Sequence, residues 1–503
     1  MKHSRLGRML FALLAGVAAS SSVAAQDNPD RRLNIVFIEA DDLTQKWVGA
    51  FGAEHVRTPA IDRLADEGAR FPLAVAQGTM CAPSRNSLIT GLYPRNLGFY
   101  ANGTLRQLPD GIWAFPQALQ DAGYYTSYIG KSHIRPPLEG VERRADYRQN
   151  VALARNLGFD EADSYAGRVV VLRGARRAQD GWQFGQDIYA DHLYERGLIP
   201  QFVEDAGGIS TLPEDDYLDG HVRSDAVQWI EDYEGEDPFF LWVNFSAPHG
   251  PYDAPGDWIG SYSAEETPPV IRDDDKSDIP ELLLSHPWNR SEDRLQRQRA
   301  EYAGMISYMD SQVARVVAAL EARGMRENTM IVFFSDQGVM EGDHGLQHKY
   351  TLYDEVILPS LVIAMPGLEG GAVFSQPTEL LDLVPTVLDV ARVPARDRGP
   401  AKGFSLFPLL TGSGSFARTE AYSEIYDAVA MVTPDWKFIE SSQGNVLFDR
   451  RNDPQELRNA IGDHPQVARE LAARMEAWRA GQGGEAVPLT ERGRARLLDN
   501  SDE

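Results

Sequence analysis

The sequence predicts an α/β fold: a large, mostly parallel sheet between helical layers, followed by a smaller α+β domain. Three observations predict it. Four largely apolar runs, at 33–38, 124–129, 239–245 and 330–334, each stop abruptly at a polar tip. Helical patterns separate the runs. From about Gly412 the pattern changes to short, closely spaced strands and one polar helix. Alternating helices and strands over such a length mean α/β.

The four runs are rich in Val, Ile and Phe, which suits strands buried on both faces of a helix-covered sheet. Their tips are Glu39-Ala40-Asp41-Asp42, Gly130-Lys131-Ser132-His133, Pro248-His249 and Ser335-Asp336-Gln337-Gly338. The carboxyl ends of parallel strands line the ligand crevice of open α/β sheets, so these tips predict a site. Thr58-Pro59 starts a helix that runs to Glu67 and stops at Gly68. Met305, Ile306, Met309, Val313, Val316, Val317 and Leu320 form the apolar face of a long helix stopped by Gly324. A further helix spans 380–390, interrupted by Pro385. Residues 250–300, rich in Pro, Asp and Trp with little periodicity, read as a long surface excursion. Strands are expected at 428–433, 436–440 and 446–449, and a polar helix at 465–480. The expected division is a leader at 1–25, a main α/β domain at 31–411, a small α+β domain at 412–485 and a loose tail at 486–503.

Residues 1–25 carry a basic start (Lys2, Arg5, Arg8), a short apolar core and small residues at Val23-Ala24-Ala25, the pattern of a cleaved secretory signal. The expected location is therefore periplasmic or secreted. No later segment offers the ~20 apolar residues of a membrane span. Net charge is −25, which argues against nucleic acid as a partner. An anionic substrate would need a locally positive site. Between Lys131 and Arg177 ten Lys and Arg stand against six Asp and Glu, either a solvated insertion or a positive wall beside the site.

Asp41, Asp42, Asp336 and Gln337 make a hard, oxygen-only set suited to Ca²⁺ or Mg²⁺, and no Cys/His cluster has zinc spacing. Any single acidic pair is often only a turn former. Two such pairs at the ends of apolar strands would repel unless a cation offset them. Lys131, His133, His249 and Lys349 add cations and titratable groups. Metal and cations together suit a tetrahedral oxyanion, sulfate or phosphate. Cys81 is the one cysteine of 503 residues. It has no disulfide partner in the chain, and a lone cysteine is by default a small buried apolar residue.

Cys81-Ala82-Pro83-Ser84-Arg85 followed by Leu88-Ile89-Thr90-Gly91 resembles the sulfatase signature, in which the cysteine is oxidised to formylglycine. The four strand tips agree in order and spacing, as do Gly342-Asp343-His344-Gly345 through Lys349, and Leu447-Phe448-Asp449 with Asp453-Pro454-Gln455-Glu456. The likeness covers roughly residues 32–465. It implies an alkaline-phosphatase-like catalytic domain with a smaller C-terminal domain. Asp41, Asp42, Asp336 and Gln337, with position 81, would bind one divalent cation, usually Ca²⁺. Many members of the family carry Asn or His where Gln337 stands. Hydrated formylglycine at 81 would be the nucleophile, installed by a formylglycine-generating enzyme. One hydroxyl attacks sulfur; the other, once deprotonated, expels sulfate. Arg85 would hold position 81 and the metal-side oxygens. Lys131 and Lys349 would grip sulfate oxygens, His133 would hydrogen-bond position 81 and assist elimination, and His249 would act as general acid.

The leading reading is a sulfuric ester hydrolase acting on an exported or extracellular substrate, a saccharide sulfate by preference. A phosphonate monoester or phosphodiester hydrolase of the same fold, and a catalytically dead sulfated-glycan-binding protein, are the alternatives. Three Asn-X-Ser/Thr sequons, at Asn102, Asn244 and Asn289, read as chance, since the second falls in a strand expected to be buried.

Overall fold

Fourteen strands alternate with helices in a computed structural model that describes residues 32–102, 107–136, 148–177, 187–205, 209–272 and 274–482. The expected leader and the tail at 486–503 lie outside the described residues, as do residues 137–147 of the basic stretch. In chain order the strands are β1 (Asn34–Asp41), β2 (Ala69–Arg70), β3 (Ala74–Val75), β4 (Tyr125–Lys131), β5 (Glu161–Tyr165), β6 (Phe239–Pro248) and β7 (Thr329–Ser335). They continue with β8 (Leu361–Ala364), β9 (Ala372–Val373), β10 (Thr378–Glu379), β11 (Ala421–Ile425), β12 (Ala428–Val432), β13 (Trp436–Ser441) and β14 (Gly444–Asp449).

Eight of them form one sheet in the order β5-β4-β6-β1-β7-β8-β2-β9. The five from β5 to β7 are parallel, and β8 runs antiparallel between β7 and β2. The alternation of side chains along each strand builds two cores. Val36, Ile38, Leu241, Val243, Ile331 and Phe333 face helices Pro59–Glu67, Leu218–Asp232 and Glu292–Ala322. Ile35, Phe37, Phe240, Trp242, Val332 and Phe334 face helices Cys81–Thr90, Phe115–Asp121 and Leu383–Val390. This is the helix-covered sheet that the continuous apolar runs required.

Register brings the polar tips together. Ala40 lies opposite Ser335, Asp41 opposite Pro248 and Gly130 opposite Asn244, so four strands end at one edge. Gly130, at φ +113°, is required there. A Cβ would stand 2.0 Å from the Asn244 carbonyl oxygen.

The second sheet, β11-β12-β13-β14, is an antiparallel meander backed by helix Pro465–Gln482. It is tied to the main sheet's loops by buried polar contacts. Lys437 donates to the Leu352 carbonyl at 2.7 Å, and Arg95 pairs with Glu424. Two expectations are corrected. Helix Glu292–Ala322 begins thirteen residues before the first residue of its apolar stripe, capped by Ser291, whose hydroxyl accepts from the Arg294 N–H. The 250–300 segment is also not purely a surface excursion, because Ile279, Leu282 and Leu283 are buried in a core shared with β12 and β14. Among the described residues no helix is long and apolar enough to cross a membrane.

Candidate active site

Cys81 is the first residue of helix Cys81–Thr90, two residues ahead of Pro83, and all ten residues of that helix are buried. The helix ends in a left-handed Gly91, whose N–H returns to the Leu88 carbonyl, with Leu92 returning to Ser87. Its first turn is pinned from two sides. Asn102 Oδ1 accepts the Ala82 N–H at 2.9 Å, and Ser84 Oγ donates to the Asp336 carbonyl at 2.6 Å. The helix thus hands residue 81 to the edge where β1, β4, β6 and β7 end.

The Cys81 thiol is fully buried and donates to Asp41 Oδ1 at 3.1 Å. Lys349 Nζ and Gln337 Nε2 approach the sulfur at 3.3 and 3.4 Å. Burial pushes its pKa far above the ordinary thiol range, and the nearby Lys349 offsets only part of that. A thiol held protonated in this way is a poor thiolate nucleophile.

Carboxylate oxygens of Asp41, Asp42 and Asp336 lie within 4.8 Å of one another, and Cys81 Sγ, Asp41 and His249 form a second such group. Each aspartate meets one cation. Asp41 pairs with Lys131; Asp42 accepts from Lys349 Nζ at 2.8 and 2.9 Å; Asp336 accepts from Arg85 Nε at 2.8 Å. Asp42, at φ +66°, is fixed by the Tyr302 hydroxyl on its carbonyl at 2.6 Å and by its own N–H on Asp336 Oδ1 at 3.2 Å. Gln337 donates its amide N–H to Asp42, while its Oε1 is buried without a hydrogen-bond partner. That orphaned acceptor, beside three gathered carboxylates, fits a hard divalent cation held by Asp41, Asp42, Asp336, Gln337 and position 81.

Arg85 reaches Asp336, the Lys131 carbonyl (3.0 Å) and Asn244 Oδ1 (3.2 Å), and ion-pairs with Glu39 at 3.3 Å. It pairs with Asp336 of the carboxylate group, and among the described residues no hydrogen bond joins it to residue 81. Glu39 was not singled out in the sequence. It accepts the Trp242 indole N–H at 2.8 Å, and burial pushes its carboxyl up to about 8 despite Arg85. Its place in the first polar tip was the available signal. Asn244, buried within β6, was read only as a chance sequon.

His249 Nδ1 donates to the Gly250 carbonyl at 2.7 Å, leaving Nε2 to face Asp42 Oδ2 at 3.7 Å. His133 sits at φ +48° with its Nδ1 buried and unpartnered. Burial first, then Lys131, Arg85 and Arg135, hold its pKa well below the usual value, so the ring is neutral. The histidine whose donor atom clusters with Cys81 Sγ is His249. His344, in the segment before Lys349, lies away from this group. It pairs with Asp274 at 3.1 Å and Glu355 at 3.6 Å, which raise its pKa to about 9 against burial. Of the basic stretch, Lys131 belongs to the site, whereas Arg168 pairs with Asp253 at 2.5 Å, so the stretch is a wall only in part.

A family model described as Sulfatase matches residues 33–393, and one described as N-sulphoglucosamine sulphohydrolase, C-terminal, matches residues 342–481. The chain is 29% identical over 457 residues to an arylsulfatase of Clostridium perfringens, covering 85% of this chain and 90% of that relative. It is 24% identical over 566 residues to an N-acetylglucosamine-6-O-sulfatase of Bacteroides thetaiotaomicron, covering 97% and 94%. Among solved structures, a phosphonate monoester hydrolase of Agrobacterium radiobacter superposes with a TM-score of 0.75 at 22% identity, covering 92% of this chain and 99% of the other. That likeness shows the shared alkaline-phosphatase-like fold. With the family model spanning most of its length, the chain belongs to the sulfatase family of hydrolases.

Proposed function

We propose that this sulfatase removes sulfate from saccharide sulfates outside the cytoplasm, with formylglycine at position 81 and one divalent cation, Ca²⁺ before Mg²⁺. One observation carries the mechanism. The residue-81 side chain is buried beside Asp41, Asp42 and Asp336, with Lys349 and His249 near the sulfur, and as a thiol it is held protonated. Those surroundings suit an oxygen nucleophile, and they disfavour thiolate chemistry.

A hydrated aldehyde at 81 supplies two hydroxyls on one carbon, one to attack sulfur and one whose deprotonation lets sulfate leave. A divalent cation on Asp41, Asp42, Asp336 and Gln337 supplies positive charge that offsets those carboxylates. Lys131 and Lys349, which pair with Asp41 and Asp42, would bind two sulfate oxygens and stabilise charge that develops in the transition state. His249, oriented by the Gly250 carbonyl, presents Nε2 to protonate the departing alcohol oxygen. His133, whose pKa is lowered first by burial and then by its cationic neighbours, takes up the proton whose loss releases sulfate. Arg85 holds Asp336 and the Lys131 carbonyl in place.

The saccharide reading is supported by the N-acetylglucosamine-6-O-sulfatase relative, and the export reading by the leader pattern at 1–25. The fold likeness to the phosphonate monoester hydrolase supports phosphonate and phosphodiester hydrolysis as the second reading.

Two measurements test this. Mass spectrometry of the residue-81 peptide, on protein made in its own host, is expected to find the aldehyde or its hydrate; an unmodified thiol ends the mechanism. Turnover of 4-nitrophenyl sulfate is expected to exceed that of bis(4-nitrophenyl) phosphate and of a phenylphosphonate ester. The reverse order would give the protein to the second reading.

A further inference from the structure

Among the described residues every strongly buried arginine meets a carboxylate. Arg85 meets Glu39 and Asp336, Arg95 meets Glu424, Arg168 meets Asp253, Arg299 meets Asp343, and Arg418 meets Glu379 and Asp382. Desolvating a guanidinium demands such a partner. Arg135, less deeply buried than these, is half-buried, and among the described residues no Asp or Glu pairs with it, in a chain holding 74 acidic residues against 49 basic. Its Nε is buried without a hydrogen-bond partner, and burial is what lowers its pKa.

Its place is well defined. Arg135 stands two residues beyond His133 in the loop that leaves β4. The loop is held at this residue from both sides: its N–H donates to Asn86 Oδ1 at 2.9 Å, and its carbonyl accepts the Leu108 N–H at 2.8 Å. The guanidinium reaches the Asn102 carbonyl at 3.4 Å, a long contact. The side chain of that same Asn102 caps Ala82, the residue after Cys81. Arg135 therefore lies beside the first turn of the nucleophile helix, near enough to His133 to depress that ring's pKa. Lys131, Lys349 and Arg85 already have carboxylates. Arg135 has planar donors and, among the described residues, no carboxylate to receive them.

We infer that Arg135 is a second anion subsite beside the sulfate position, taking an oxyanion group carried elsewhere on the substrate. This rests on the saccharide sulfatase reading and narrows it to doubly anionic saccharides, whose second group is a uronate carboxylate or another sulfate. Either group presents two oxygens to a guanidinium fork. A simple aryl sulfate offers none.

The test compares wild type with Arg135→Gln on 4-nitrophenyl sulfate, a disulfated disaccharide and a monosulfated disaccharide bearing a uronate. Loss of kcat/KM on at least one doubly anionic substrate is expected to exceed the loss on 4-nitrophenyl sulfate by about tenfold or more, mainly through KM. The more affected disaccharide identifies the oxyanion. Equal losses on all three, or none on any, would overturn the subsite. Calorimetric binding of the same ligands to Cys81→Ala and to Cys81→Ala/Arg135→Gln reads the subsite without turnover. Selective weakening of a doubly anionic ligand is expected there, and equal affinities would reject the subsite. Wild type inert toward every sulfate, with the selective binding loss kept, would discard the hydrolase reading and retain the subsite.

Discussion

Lys349 and His249 carry the sharpest residue-scale predictions, because each touches Asp42 beside residue 81. In the proposed reaction Lys349 stabilises charge that exists fully only in the transition state. Lys349→Ala is therefore expected to lower kcat by about 10²–10³-fold while circular dichroism still reports a folded chain. Activity within a few-fold of wild type would remove Lys349 from the anion clamp. His249 protonates a leaving oxygen, a service that an alkyl or sugar alcohol needs far more than 4-nitrophenolate does. His249→Ala should thus lose about 10²–10⁴-fold on a sugar sulfate and much less on 4-nitrophenyl sulfate. Equal losses would assign His249 to binding or folding instead.

At the scale of elements, the loop bearing His249 is held at both ends. Asp219, on helix Leu218–Asp232, accepts the N–H groups of Ser246 and Ala247 at 2.6 and 3.0 Å. Beyond His249, Asp253 accepts from Arg168 and from the Tyr217 hydroxyl at 2.9 Å, while the Arg168 guanidinium lies over the Phe202 and Tyr217 rings. Removing one partner of such a buried pair strands the other. Arg168→Ala is expected to cost about 3–5 kcal/mol, read from the denaturant midpoint. A midpoint unchanged from wild type would mean the pair is not structural. Asp310, on helix Glu292–Ala322, caps helix Pro59–Glu67 by accepting from Ala60 and Ile61 at 3.0 and 2.9 Å. Burial raises its carboxyl to about 7. The folded chain then holds this proton where the unfolded chain has lost it, so the contribution to stability falls as pH rises from about 4 to about 7. Asp310→Asn is uncharged throughout. The stability advantage of wild type over the variant should shrink across that window, measured by urea unfolding at successive pH values, and a constant difference would refute the shift.

For the whole molecule, the proposed cation on the gathered carboxylates is expected to make stability depend on metal. A ligand that binds only the folded state at a hundred times its dissociation constant adds about 2.7 kcal/mol. Chelation should lower the melting temperature by a few degrees, with Ca²⁺ restoring it and a chain carrying Asp42→Asn and Asp336→Asn indifferent to both. A wild-type melting temperature that ignores chelator and added Ca²⁺ would remove the metal centre.

Much of this molecule was determined by the sequence alone. Continuous apolar runs can be buried only in a covered sheet, and their polar tips must then emerge at its edge. That Asp41, Asp42, Asp336, Gln337, Lys131 and His249 gather at one edge was therefore legible, and the family resemblance was legible in the Cys81 motif. Local cap and stop residues likewise placed helix Pro59–Glu67. Pairings at long range were not legible, because they follow strand register and helix docking. Lys349 meets Asp42 across 307 positions, and Arg85 meets Asp336 across 251. Only the tertiary structure made Glu39 and Asn244 partners of Arg85, withdrew His344 and Arg168 into structural ion pairs, and left Arg135 without a carboxylate among the described residues. Burial sets the energy of a charge, and which charges are buried together is decided by the packed fold.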